Sequence, residues 1–243
     1  MPEPVGFIKA AGFSENNWTG GPAAFVLTGF CNLRCPYCFA ADLVLDAGRT
    51  PSWTEEQALS RLGGLREKTD LLIVSGGEPT LFRGLAGFLA SARSLGFSLA
   101  LETNGTQPHV LEHLAGQGLL DRVGLDLKAR LADEPYSRSC GVDIPASLVR
   151  ESLDVLRGIG DRVTLRTTIV KRFTGAQDVD ALGPFLQGFS RWLIQEPASA
   201  KVLAPKLVKG GAKRPDLGDL VARAERYLPA RLFRPEPYVV SAP

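Results

Sequence analysis

Six short apolar runs, at residues 24–28, 71–75, 98–102, 123–127, 163–169 and 192–195, alternate with segments of helical periodicity along most of the chain. That alternation is the pattern of repeated βα units, whose strands pair in parallel while the intervening helices cover the sheet. Helix starts are marked as well. In SWTEEQALSRLGGLREK, Ser52 and Thr54 precede Glu55 and Glu56, and PASLVRESLDVLRGIG opens on Pro145 and stops on glycine. Six units are too few to close an eight-stranded barrel, but right-handed crossovers curl them into an open one. A flat doubly wound sheet is the alternative. Both folds carry their functional residues at the carboxyl ends of the strands.

The chain has 243 residues, 44% of them hydrophobic, which suits one large core. Residues 1–204 read as that domain. From Pro205 onward PKLVKGGAKRPDLGDL and the closing FRPEPYVVSAP break the pattern, so residues 205–243 read as an extension packed on the same domain, with a helix near residues 216–227. The last 43 residues carry nine Lys or Arg against four Asp or Glu, a basic bias read as solvated surface. The net charge of the whole chain is only +2, so no nucleic-acid partner is expected. No stretch reaches the roughly 18 apolar residues of a membrane span, and the first residues lack the pattern of a secretory leader. A cytoplasmic protein without a membrane partner is the expectation. The glycines of GGLREK and GGEP do not form a dinucleotide fingerprint.

Three of the four cysteines, Cys31, Cys35 and Cys38, fall in CNLRCPYCF directly after the first apolar run. In a reducing compartment such a cluster binds metal or does redox chemistry more often than it forms disulfides. Four ligands close a structural zinc site or an iron–sulfur cluster, whereas three leave one metal position open. Zinc would need another ligand. His109 and His113 stand four apart on a helix after a different strand, a spacing that binds metal or simply marks a polar helix face. Cys140 has no partner among the other motifs and is read as an unliganded thiol.

CNLRCPYCF resembles the cluster loop of the radical S-adenosylmethionine (SAM) superfamily. SGGEPTLF (residues 75–82), LETNG (101–105), LDLKA (125–129) and RTTIV (166–170) follow in the order of that family. The likeness covers about residues 5 to 200 and is nearest to the glycyl-radical-enzyme activases, in particular the group that activates anaerobic ribonucleoside-triphosphate reductase. The resemblance implies an α/β fold, an incomplete (β/α)6 TIM-type barrel. It also implies a [4Fe–4S] cluster on Cys31, Cys35 and Cys38, with SAM chelating the remaining iron. The activity it implies is reductive cleavage of SAM to a 5′-deoxyadenosyl radical. The implied partners are a glycyl-radical enzyme such as anaerobic ribonucleotide reductase and an external electron donor such as flavodoxin or ferredoxin.

The motif residues then acquire roles. Gly76 and Gly77 allow close backbone approach to a ligand, and Glu78 either accepts from the methionine ammonium or caps the next helix. Glu102 and Asn104 address the ribose or a cation, or else belong to a turn. Lys128 binds the methionyl carboxylate with Asp126 orienting it, unless the two form a structural ion pair. Arg166 recognises carboxylate or ribose, or makes a salt bridge. Tyr37 shields the cluster or lines the adenine pocket. Ile169 and Val170 pack on adenine or lie in the core. Two departures stand out. SENNWTGGPAAFVLTGF replaces the more usual DGPG stretch, and Phe39 stands where many activases carry histidine. A small-molecule enzyme resembling 7-carboxy-7-deazaguanine synthase, which also has GGEP and ETNGT segments, is the alternative; that family places a metal-binding threonine where Phe39 and Ala40 stand here. A non-catalytic cluster-binding interaction protein is a third.

Overall fold

The computed structural model describes residues 8–15, 18–45, 52–197, 202–208 and 216–234. Strands β1 (Ile8–Ser14), β2 (Ala23–Thr28), β3 (Leu71–Gly76), β4 (Ser98–Thr103), β5 (Arg122–Asp126), β6 (Val163–Thr168), β7 (Arg191–Gln195) and β8 (Ala230–Phe233) form one sheet in sequence order. β1 runs antiparallel to β2, and every pairing from β2 to β8 is parallel. Among the described residues β1 and β8 do not pair with each other, so the sheet stays open. The fold is α/β, and of the two architectures left open by the strand pattern it is the partial barrel.

The six expected strands lie within one residue of their expected bounds. β2 is buried along its whole length and β3 along all but its last residue, as befits parallel strands covered on both faces. The two strands that the apolar pattern does not reveal are the edges. In β1, IKAAGFS, a lysine and three small residues interrupt the run, and β8 has only four residues, none of them fully buried.

Helices α1 (Ala41–Leu45) and α2 (Glu55–Gly63) follow β2; α3 (Leu85–Ser94) follows β3; α4 (Pro108–Gly116) follows β4. After β5 come α5 (Asp133–Cys140) and α6 (Ser147–Arg157), after β6 α7 (Ala176–Leu182), and after β7 α8 (Pro205–Val208) and α9 (Leu217–Ala224). Thr54 caps α2 in a reciprocal box with Gln57, and the helix stops at the Gly63–Gly64 pair. Asp216 caps α9, the helix expected near residues 216–227. Residues 209–215 and 235–243 of the extension lie outside the described residues.

Strand alternation divides the core. Leu72, Val74, Leu99, Leu101, Val123 and Leu125 face the helices in the large cluster, while Phe25, Ile73, Ala100 and Leu193 form a smaller cluster on the other face. No helix among the described residues is long and apolar enough to cross a membrane.

Candidate functional site

Residues two apart on a strand share a face, so the inner apolar cluster dictates what stands above it. Ile73 is followed by Ser75, Ala100 by Glu102, Gly124 by Asp126 and Leu193 by Gln195. The second member of each pair lines a cavity at the carboxyl ends of the strands. Cys31, Cys35 and Cys38 line the same cavity from the loop after β2, together with Tyr37, Gly76, Gly77, Glu78, Asn104, Lys128 and Arg166.

A chain of alternating charge crosses the strand wall. Ser75 Oγ donates to Glu102 Oε2, Arg166 Nη1 reaches Glu102 Oε1 at 2.6 Å, Arg166 Nε reaches Asp126 Oδ1 at 2.7 Å, and Lys128 Nζ reaches Asp126 Oδ2 at 2.8 Å. Arg166 starts on β6 and must pass over β5 to meet Glu102 on β4. Gly124 makes that crossing possible. It pairs with Glu102, and a Cβ there would stand 3.3 Å from the guanidinium carbon and 3.4 Å from Trp18. Trp18 covers the guanidinium, its ring centroid 5.8 Å away. Burial works against the charge on Arg166, but Asp126 and Glu102 outweigh it and raise its pKa further. Burial likewise opposes ionisation of Asp126, yet Arg166 and then Lys128 hold its pKa below the ordinary value.

The loop wall is held differently. Phe30 has φ +62°, a left-handed conformation costing a non-glycine residue about 1–2 kcal/mol. It is held there by backbone: its N–H donates to the Leu43 carbonyl and its own carbonyl accepts from Glu78 N–H, each at 2.9 Å. A Cβ on Gly77 would lie 1.9 Å from the Phe30 oxygen, and one on Gly76, at φ +121°, 2.2 Å from the Thr28 oxygen. The close approach that these glycines permit is therefore to the loop backbone itself. Arg34 N–H donates to the Cys140 carbonyl, and the N–H groups of Leu203 and Ala204 donate to the carbonyls of Cys38 and Pro36. Leu33 N–H (3.3 Å) and Asn104 Nδ2 (3.8 Å) donate to Cys31 Sγ.

A model of the Radical SAM superfamily matches residues 25–182, more than half of the chain. The chain belongs to the radical SAM superfamily. A Methanocaldococcus jannaschii protein, provisionally named a glycyl-radical enzyme activating enzyme, is 29% identical over 170 residues, 68% of this chain and 69% of that one. A 7-carboxy-7-deazaguanine synthase of Haemophilus influenzae is 33% identical over 110 residues, 44% of this chain and 47% of that one. In fold, the chain is similar to Streptococcus suis SuiB bound to the precursor peptide SuiA, with a TM-score of 0.63 at 17% identity, covering 84% of this chain and 46% of that one. The chain thus spans under half of SuiB and of the H. influenzae synthase.

Radical SAM proteins use a [4Fe–4S] cluster and SAM. The donor set fits them. No three His, Cys, Asp or Glu side chains among the described residues are grouped to hold a single metal ion, yet three thiols, the donor type that holds an iron–sulfur cluster, line one cavity. Burial, then the Glu78 charge, push the Cys31 thiol up to about 12, and burial raises Cys38. Such thiols keep their protons until a cation displaces them, and iron supplies that cation. Cys35 is lowered to about 7, chiefly by a hydrogen bond from Cys140.

Other motif residues do more or less than the sequence suggests. Glu78 caps the short helical turn that follows it: Oε1 accepts from Thr80 N, Thr80 Oγ1 and Thr103 Oγ1, and Oε2 accepts from Asn104 N at 2.7 Å. It still borders the cavity. Asn104 also donates to Asn32 Oδ1, tying the TNG turn to the loop. Tyr37 is buried, donates to or accepts from Ser139 Oγ at 3.0 Å, and packs on Phe173. Ile169 and Val170 are core residues and do not line the cavity. Thr168 does. His109 and His113 are exposed on α4, a polar helix face. Cys140, read as an unliganded thiol, is buried and outside any disulfide, and its carbonyl accepts from Arg34 N–H of the cysteine loop. The sequence reading misses Trp18 and Gly124 entirely. For Gly124 a signal existed, since a lone glycine in a strand marks close approach.

Proposed function

We propose that this radical SAM enzyme cleaves SAM in the cavity and uses the resulting radical to take the Cα hydrogen of a glycine on a partner protein. The observation carrying the reading is that three cysteines and a partly buried charge chain line one cavity at the carboxyl ends of the strands of an unclosed sheet. When bound, the cluster supplies one electron to the SAM sulfonium, so that the S–C5′ bond breaks to methionine and a 5′-deoxyadenosyl radical. Cys31, Cys35 and Cys38 would hold the cluster. Lys128 and Arg166 would present N–H donors to the methionyl carboxylate, Glu78 would accept from the ammonium, and Glu102 and Asn104 would face the ribose. Gly76 and Gly77 bring backbone to the cavity edge. Tyr37 and Phe173 exclude water from the loop side. Hydrogen transfer from glycine then leaves 5′-deoxyadenosine and a glycyl radical. The alignment with the M. jannaschii protein supports an activase, and anaerobic ribonucleotide reductase is the partner to test first, with flavodoxin or ferredoxin as electron source.

A second reading, a small-molecule enzyme resembling 7-carboxy-7-deazaguanine synthase, draws on the 33% identical segment. Against it, the cavity wall has Phe39 and Ala40 where that family's metal-binding threonine would stand, and neither side chain can ligate magnesium. The experiment is anaerobic reconstitution with iron and sulfide, reduction, addition of SAM and quantification of 5′-deoxyadenosine, followed by electron paramagnetic resonance (EPR) with the candidate reductase. Cleavage with a glycyl signal on the reductase supports the activase. Magnesium-dependent turnover without a partner would replace it with the second reading, and no cleavage by a verified reduced cluster would leave a structural cluster.

A further inference from the structure

Strand β5 ends at Asp126, and Leu127 N–H carries its ladder one bond further, to the Arg166 carbonyl at 2.8 Å. Lys128 stands past that point, and side chains hold its backbone. Its carbonyl accepts from two buried hydroxyls, Ser139 Oγ on α5 and Thr174 Oγ1 after β6, each at 2.8 Å, and its N–H donates to the buried Tyr136 Oη at 3.4 Å. At the far end of the side chain, Nζ is held by Asp126 Oδ2 at 2.8 Å. The lysine is thus fixed at its root and at its tip. The root is also joined to the cysteine loop. Tyr37 Oη, from the residue before Cys38, lies 3.0 Å from Ser139 Oγ. A serine hydroxyl has one proton, and here it goes to the Lys128 carbonyl, so Tyr37 is the donor to Ser139. A packing contact runs beside these bonds: the Tyr37 ring centroid is 6.0 Å from that of Phe173, the residue before Thr174.

We propose that Ser139 is a positioning residue that couples the cysteine loop to Lys128: by accepting from Tyr37 and donating to the Lys128 carbonyl, it makes the set of the loop decide where the lysine ammonium meets the methionyl carboxylate. This rests on the reading of Lys128 as a SAM ligand. Ser139 does not line the cavity, so it acts only through its two neighbours. The physical basis is that buried hydrogen bonds in series hold each other's geometry, and a binding group held in place beforehand loses less freedom when the ligand arrives. Removing the serine hydroxyl breaks both bonds at once. Removing the tyrosine hydroxyl breaks only the link to the loop and leaves the Lys128 carbonyl with both its donors.

The test uses the reconstituted protein with Ser139→Ala and with Tyr37→Phe, each alone and combined with Lys128→Ala. Iron content, SAM affinity by anaerobic equilibrium dialysis and the EPR spectrum of the reduced cluster with and without SAM are read on each. Expected are equal iron loading throughout and SAM binding weakened about threefold by either substitution. In the Lys128→Ala background neither should weaken SAM binding further, because the group they position is gone. Should Ser139→Ala misfold by circular dichroism, Tyr37→Phe carries the test, since it keeps the ring on Phe173. Unchanged affinity in Tyr37→Phe and Ser139→Ala while Lys128→Ala binds SAM weakly overturns the proposal, as does an equal further loss in the Lys128→Ala background. Unchanged affinity in Lys128→Ala itself would instead refute Lys128 as a SAM ligand and remove the coupling with it, a separate outcome.

Discussion

On the strand side of the cavity, Ser75, Glu102, Arg166, Asp126 and Lys128 fix one another through side-chain bonds. On the loop side, Cys31, Cys35 and Cys38 are placed mainly through the backbone of their neighbours, from Phe30 to Leu203. The difference follows from what each wall does. Strands supply a rigid backbone, so their side chains are free to pair with each other across the register. The cysteine loop has no ladder of its own, and its sulfurs must stay available, so it is immobilised by hydrogen bonds that leave most of the sulfur valence open. Removing a strand-wall residue should cost stability first. Removing a loop cysteine should cost the cofactor first.

The sharpest test of this contrast is Cys35→Ala, which should reduce iron loading to background and abolish SAM cleavage while thermal unfolding stays cooperative. Retained loading and cleavage would break the assignment. On the opposite wall, Arg166→Met takes the guanidinium from Glu102 and leaves Asp126 with Lys128 alone, and should destabilise the fold by about 3 kcal/mol in urea unfolding. Adding Glu102→Gln should recover part of that loss, and simple additivity of the two would show that the chain is not coupled. Gly77→Ala lies where the walls join. Its new Cβ must displace the Phe30 carbonyl, at a cost of about 2–3 kcal/mol, with iron loading lowered in parallel. Lys128→Ala should weaken SAM binding about tenfold, measured by equilibrium dialysis, with the cluster still loaded. The smallest effect belongs to His109→Ala with His113→Ala, which should leave metal content unchanged and stability within about 0.5 kcal/mol.

The parts legible beforehand are those written in local pattern. Each parallel strand buried on both faces is a contiguous apolar run, and each motif sits at the end of one, so strand bounds and cavity residues such as Glu102, Asp126 and Arg166 could be read together. The edges were not legible. β1 mixes Lys9 with alanine and glycine, and β8 is four residues of a half-exposed edge, so neither has a period long enough to recognise. Roles were less legible than positions. Gly76 and Gly77 were expected to make room for a ligand, and they first make room for Thr28 and Phe30. Ile169 and Val170 were given two readings, and packing selected the core.

From its sequence alone the protein's order of strands and helices, its group of three cysteines and the motifs at the strand ends were determined, because each depends on residues within a few positions of one another. Only the tertiary structure decided that Gly124 clears a path for Arg166 to Glu102, that Trp18 covers that guanidinium, and that the Cys140 carbonyl receives the Arg34 N–H from more than a hundred residues away in the chain. Those contacts depend on which strands become neighbours and which helix end meets the loop. No local period records a hydrogen bond that exists only after the sheet has curled.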